Sequence, residues 1–205
     1  MKMISEGAEA RIYAAMIFGI NAILKYRQPK RYRIRALDEA IRVRRTRIEA
    51  RTLITAQGLG VKVPQIVLVG RFGIFTTRIN GRTLADILGD NGAKAPAKAL
   101  ADSGRYLAML HSHNIVHGDF TPANIMVSSN DAKDTYIIDF GLSSFTASAE
   151  DKALDLLLMK RSLSHNDFQV FASSYKAHCD DSDAVLERLR DIERRGRYQT
   201  RTLAV

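Results

Sequence analysis

The sequence predicts an α+β fold of two unlike parts: a small β-rich unit followed by a helix-rich one. Two observations carry this. Short β-branched and apolar runs punctuated by Gly and Pro fill the first 80 residues, and helical periodicity takes over after Asn80-Gly81. With 46% hydrophobic and 26% charged residues, the 205-residue chain can bury a core and is not a disordered polymer.

Three strands are expected first, around Ile4, over 12–17 and over 22–26, interrupted by Gly7 and by Gly19-Ile20-Asn21. Pro29 ends the third. Leu37, Ala40, Ile41, Ile48, Leu53 and Ile54 recur near helical spacing, so 37–57 reads as a helix with a basic outer face, closed by Gly58 and Gly60. Strands over 65–69 and 73–79 follow, joined by a turn at Gly70-Arg71. In the second unit Thr83 can cap a short helix over 84–89. Then come a helix from 96 to 113, a polar loop over 117–124, strands over 125–127 and 135–138, and helices over 151–163, 166–178 and 182–195. The boundaries expected are 1–80 and 81–205, forming one bilobal unit with a ligand crevice near residues 79–82.

Composition narrows the function classes. A single Cys, Cys179, excludes a disulfide framework and a multi-Cys zinc site. The longest apolar run, 13–24, is 12 residues and too short to cross a bilayer, and the first residues do not read as a signal peptide. The formal charge is +9. Residues 25–51 hold eleven Lys/Arg against three acids, and 184–205 hold six Arg against three. Both stretches suit phosphate contacts or an acidic partner surface, or are solvated helix faces.

The chemistry sits in three segments. His117-Gly118-Asp119-Phe120-Thr121-Pro122-Ala123-Asn124 is a loop, Ile137-Ile138-Asp139-Phe140-Gly141 ends an apolar strand in a carboxylate, and strand Lys25 precedes helix Glu49. Phosphoryl transfer needs a carboxylate for the acceptor, hard oxygens for Mg²⁺ and a cation on the phosphates of ATP. Asp119 suits the first role, Asn124 and Asp139 the second, and Lys25, held by Glu49, the third. Lys30 and Glu39 are rivals to Lys25 and Glu49, but Lys25 follows the strand-like Ala-Ile-Leu and Glu49 falls mid-helix beside Ala50, Leu53 and Ile54.

Order and spacing resemble the protein-kinase signature: H-x-D-x-x-x-x-N, then Asp-Phe-Gly with its Asp fifteen residues after Asn124. The resemblance implies a minimal bilobal kinase-like fold. It places adenine against the strand near Thr77 and Ile79, Thr76 at the back of the pocket, and Gly7 and Ala8, with Ser5 and Glu9 nearby, against the phosphates. Departures are as informative. The G-x-G-x-x-G pattern is missing, Gly118 stands where most protein kinases carry Arg, no Ala-Pro-Glu follows Gly141, and 64 residues remain for the rest of the second lobe.

These departures resemble the small atypical kinase subunits of KEOPS complexes, kin to the Rio kinases. The resemblance is carried by Gly-Ala-Glu-Ala at 7–10, by Lys25 with Arg27, Lys30, Tyr32 and Arg33, and by Leu37-Asp38-Glu39. Arg45-Thr46-Arg47 before Glu49-Ala50, Glu150-Asp151-Lys152-Ala153, Asp155-Leu156 and Arg195 to Arg197 complete it. It implies an ATP- and Mg²⁺-dependent serine/threonine kinase and ATPase, in a cytoplasmic assembly that makes the threonylcarbamoyl modification of adenosine in tRNA. The partners implied are the threonylcarbamoyl-transferase and other KEOPS subunits, with tRNA as a further candidate and no membrane. Two rival classes remain at this point: an aminoglycoside- or choline-type small-molecule kinase, which needs acceptor-binding helices this chain has little room for, and a scaffolding, tRNA-binding kinase-like module.

Overall fold

The computed structural model describes residues 1–7, 10–90, 94–130 and 133–202, with side chains to residue 195. Strands β1 (Lys2–Glu6), β2 (Ala10–Ile17), β3 (Ile20–Arg27), β4 (Ile66–Val69) and β5 (Gly73–Thr77) form one antiparallel sheet in the order β1-β2-β3-β5-β4. The β2–β3 hairpin turns through Phe18 and Gly19, both at positive φ. Its register sets Lys25 opposite Ile12, and β5 sets Ile74 against the other side of Lys25.

Helix α1 (Arg35–Gly58) crosses between β3 and β4 and ends where Gly60, at φ +84°, turns the chain. Its inward face differs from the apolar stripe expected from spacing. Leu37 and Ile54 are exposed, and the buried residues are Asp38, Arg42, Thr46, Glu49, Ala50, Thr52, Leu53 and Ala56. Polar groups can line this face because they satisfy each other: Arg42 Nε donates to Asp38 Oδ2 at 2.7 Å, and the Lys30 N–H donates to Asp38 Oδ1 at 3.1 Å. The Arg42 guanidinium also stacks on Phe72, 3.9 Å from the ring centroid.

Beyond β5, the short β6 (Gly81–Thr83) leads into α2 (Leu84–Gly89), capped as expected: the Asp86 N–H donates to Thr83 Oγ1 at 3.0 Å and the Thr83 N–H to the Asp86 carboxylate at 3.3 Å. Next come α3 (Ala97–Ser112), β7 (Ile115–Val116), a 3-10 turn (Pro122–Asn124), β8 (Ile125–Ser128), β9 (Thr135–Ile137), β10 (Ser144–Phe145), α4 (Ala149–Ser162), α5 (His165–His178) and α6 (Ser182–Thr202). The short strands β6, β7 and β10 lie below the length at which alternation is visible in a sequence, and α6 runs past residue 195.

β6 pairs with β8 and β8 with β9. β10 pairs with β7, so Ser144 and Phe145 lie opposite Val116 and Ile115. One hydrophobic core runs from Leu53 and Ala56 of α1 through Leu107, Leu110, Ile125, Ile137 and Phe140 to Leu156, Phe171 and Leu189. Each such buried Leu, Ile or Phe side chain is worth roughly 1.5–3 kcal/mol. The α3–α5 contact is the closest helix pair: a Cβ on Gly104 would lie 3.0 Å from the Tyr175 backbone nitrogen. Among the described residues no helix is long and apolar enough to cross a membrane.

Candidate active site

Lys25 projects from β3 to meet two carboxylates that the chain supplies from far apart. Its Nζ donates to Glu49 Oε1 at 2.8 Å and forms a close ion pair with Asp139 Oδ1. The rivals are elsewhere: the Lys30 backbone caps Asp38, and Glu39 pairs with Arg35 and Arg71. Glu49 is 4% exposed and uses both oxygens, because Arg27 Nη2 donates to Oε2 at 2.6 Å. Two cations thus hold one buried carboxylate.

Asp139 follows β9 with φ +61°, a left-handed conformation that a short polar side chain tolerates. The Gly141 N–H donates to its Oδ1 at 3.0 Å. Burial pushes the Asp139 carboxyl up, but Lys25 and the Gly141 amide outweigh it and hold the group below its ordinary value. Oδ2 takes no hydrogen bond from the described residues.

Across the cleft, Asn124 closes the 3-10 turn and its Nδ2 donates to the Asp119 carbonyl at 2.8 Å and to Asp119 Oδ2 at 2.9 Å. That orientation leaves Asn124 Oδ1 available as an acceptor. Two hard oxygens, Asn124 Oδ1 and Asp139 Oδ2, therefore line one cleft, a donor set that fits Mg²⁺ with its remaining positions held by water and phosphate. Among the described residues there is no cluster of three His, Cys, Asp or Glu of the kind a transition metal would need.

The cleft has an apolar and a polar end. The apolar end, about 380 Å³, is lined by Ile12, Ile23, Ile74, Thr76, Met126 and Ile138, with Thr77 and Ile79 at its edge. The polar end, about 420 Å³, is lined by Ser5, Gly7, Lys25, Arg27, Asp119 and Asp139. Ile12, Lys25 and Asp139 border both. The Thr77 N–H donates to the Gln65 carbonyl at 2.8 Å. Gly7 turns β1 into β2 through its N–H to the Ala10 carbonyl at 2.9 Å. Ala8 and Glu9 lie outside the described residues.

Sequence spacing missed the groups that support this set. Arg27 is one. Asp155 of α4 is the other: it is 1% exposed, and its Oδ2 and Oδ1 accept the N–H groups of His117 and Gly118 at 2.8 and 2.9 Å. Gly118 sits at φ +80°, and a Cβ there would collide with the Leu142 carbonyl oxygen. Glycine stands where other kinases carry arginine because this loop leaves no room for a side chain. His117 packs against Phe120 and Phe140 and its Nε2 lies 3.1 Å from the Ile138 carbonyl, so it ties the two motif segments together.

Comparison with known proteins shows the family and the fold. Residues 14–178 match the RIO domain family. The KEOPS complex subunit Bud32 of Pyrococcus abyssi is 33% identical, with 98% of each chain covered. A probable serine/threonine-protein kinase BUD32 homolog of Archaeoglobus fulgidus is 35% identical over 88% of this chain and 90% of its own. A probable bifunctional tRNA threonylcarbamoyladenosine biosynthesis protein of Methanobrevibacter smithii is 35% identical over 96% of this chain, which spans 36% of that longer protein. Among solved structures, the Rio2 kinase–ADP/Mg²⁺–phosphoaspartate complex from Chaetomium thermophilum superposes with a TM-score of 0.65 at 17% identity, covering 98% of this chain and 72% of that one, which shows a shared fold.

Proposed function

We propose, from the premise that this chain belongs to the RIO domain family and is a Bud32 homologue within it, that its cleft binds ATP with Mg²⁺ and transfers or hydrolyses the γ-phosphate. The chain is an atypical serine/threonine kinase of the KEOPS group. The observation that carries the reading is the meeting of Lys25, Glu49 and Asp139, together with Asp119 and Asn124, at one cleft with an apolar end.

The roles follow from position. The apolar end takes the adenine, with its edge toward Ile79 and the rim at Thr77. Lys25, steadied by Glu49, faces the α- and β-phosphates, and Gly7 lies beside them at the end of β1; Ala8, the other phosphate candidate, lies outside the described residues. Asn124 and Asp139 supply the oxygens for Mg²⁺, which neutralises phosphate charge when bound. Asp119 orients the acceptor hydroxyl or water and takes its proton; the γ-phosphorus–oxygen bond to ADP breaks as the new one forms. Residues 1–80 form the nucleotide-binding lobe and 81–205 the catalytic lobe of one kinase-like domain.

Within the same reading the chain works in the cytoplasm beside a threonylcarbamoyl-transferase subunit and other KEOPS subunits, in the tRNA threonylcarbamoyladenosine pathway named for the Methanobrevibacter relative. Arg44 and Arg47 on the exposed face of α1 are candidate contacts for tRNA or for the partner. The test is ATP turnover with Mg²⁺, alone and with the transferase and tRNA. Asp139→Asn should abolish it. Turnover unchanged in that variant would end the reading. A steep fall of tRNA affinity with salt is the expected result for phosphate contacts, and a flat dependence would assign the basic face to protein.

A further inference from the structure

Asp155 is the start of a buried relay that reaches back through two helices. Its Oδ2 takes a third hydrogen bond, from His111 Nε2 of α3 at 3.2 Å. His111 Nδ1 lies 2.9 Å from the Tyr175 hydroxyl of α5, and Cys179 Sγ lies 3.5 Å from the same oxygen. His111 and Tyr175 are 0% exposed, Asp155 1% and Cys179 4%. Nothing in the phosphoryl-transfer roles above uses His111, Tyr175 or Cys179.

Hydrogen-bond chemistry gives this chain one direction. Asp155 accepts a backbone N–H on each of its two oxygens, the pattern that suits a carboxylate, which only accepts. His111 Nε2 must therefore carry the proton. A neutral imidazole has one N–H, so Nδ1 is an acceptor and the Tyr175 O–H donates into it. The tyrosine oxygen then accepts the Cys179 thiol hydrogen. Every donor points toward Asp155. Burial lowers the His111 pKa against the pull of Asp155, with Lys152 and His117 adding to the lowering, so the ring stays neutral. Burial likewise raises the Tyr175 pKa, so its proton stays in place.

We propose that Tyr175 and His111 are positioning residues for phosphoryl transfer: the buried hydroxyl locks the imidazole in its Nε2–H tautomer, and that imidazole holds Asp155 in the orientation that pins Gly118 and, next to it, Asp119. The proposal rests on the phosphotransfer reading. Its reach comes from the fit of the loop. Gly118 holds a positive φ that glycine adopts freely, and its N–H is held by Asp155 directly before Asp119. If the tautomer is free to switch, Nε2 presents a lone pair to a carboxylate, the contact becomes repulsive, and the loop loosens. The tight α3–α5 packing at Gly104 is what brings the Tyr175 backbone close enough for its hydroxyl to reach His111.

Lys25 and the apolar lining from β2, β3 and β5 lie outside the relay, so its loss should lower kcat more than it raises the KM for ATP. In the full chain, Tyr175→Phe should lower kcat for ATP turnover about five- to ten-fold, with KM changed less than about two-fold, the signature of a misplaced reacting group. His111→Leu should be worse, and His111→Gln, which offers an amide N–H to Asp155, should recover most of the loss. Nitrogen-15 spectra of histidine-labelled protein should show His111 as the Nε2–H tautomer, turning into a mixture in Tyr175→Phe. The isosteric Tyr175→Phe keeps the test available if His111→Leu does not fold. Unchanged kcat in Tyr175→Phe, a rise in KM alone, or an Nδ1–H tautomer or imidazolium at His111 in the wild type would overturn the proposal. Absence of ATP turnover in the wild-type chain would overturn the phosphotransfer reading and with it the catalytic half of the proposal, while the spectra would still decide whether the relay exists.

Discussion

Glu49 binds two cations, and they differ in what they leave free. Arg27 is buried and fixed on Oε2, whereas Lys25 bridges to Asp139 on the other side of the cleft. Arg27 therefore holds Glu49 in place independently of the pair that Lys25 makes with Asp139, so Lys25 can change partners without releasing Glu49. Arg27→Met should lower ATP turnover about ten-fold by leaving a buried carboxylate half-paired, with Arg27→Lys intermediate because Lys lacks the planar fork; steady-state ATPase rates check this, and equal rates in both variants would remove the role. Lys25, Asp119, Asn124 and Asp139 were legible in the sequence because phosphate chemistry demands those side-chain types at fixed spacings. The family resemblance points to Arg27 without a role, and its pairing with Glu49 was not legible, since only the fold shows which of the eleven basic residues over 25–51 point inward.

Helix α1 shows where reading by periodicity fails. Hydrophobic spacing selects Leu37 and Ile54, yet both face solvent, and the buried face carries Asp38, Arg42, Thr46 and Glu49. A hydrophobicity count treats a buried ion pair as surface, because it is blind to pairing. The helix itself, its end at the glycines and the Thr83 cap are set by local chemistry and were legible. The short strands β6, β7 and β10 come from tertiary pairing and were not. Asp38 also accepts the Lys30 N–H, so it ties the helix start to the segment after β3. Asp38→Ala should lower the thermal midpoint clearly more than Glu39→Ala, whose partners Arg35 and Arg71 are largely solvent-exposed. Melting curves of the two variants side by side make the comparison, and equal midpoints would refute the buried pair as an anchor.

Across the molecule, many carboxylates are held below their ordinary pKa by basic neighbours. For Asp102 burial opposes the shift, and Lys98 and Arg105 overcome it; for Asp134 and Glu150 the leading causes are hydrogen bonds from Lys62 and from Arg195. A depressed carboxylate adds stability that is complete above its unfolded pKa, about 4, and is lost as pH falls through the lower folded value. The thermal midpoint should thus be flat through neutral pH and drop steeply once pH goes below about 4. A midpoint that holds at lower pH would show that these pairs add nothing. The α+β class and the division of labour between sheet and helices were legible from where glycine-punctuated runs give way to helical periodicity. The continuous core from α1 to α6 was not, because its contacts join residues more than a hundred positions apart.

The pairing of β10 with β7 bears on how the enzyme is governed. Asp139 and Phe145 are separated by a short stretch whose far end is bound twice: Ser143 Oγ meets Thr52 Oγ1 of α1 at 2.9 Å, and Ser144 and Phe145 are clasped to the strand that precedes the loop of Asp119. That stretch is therefore tied to α1 and to β7, so a partner that shifts either element would reach Asp139 through it.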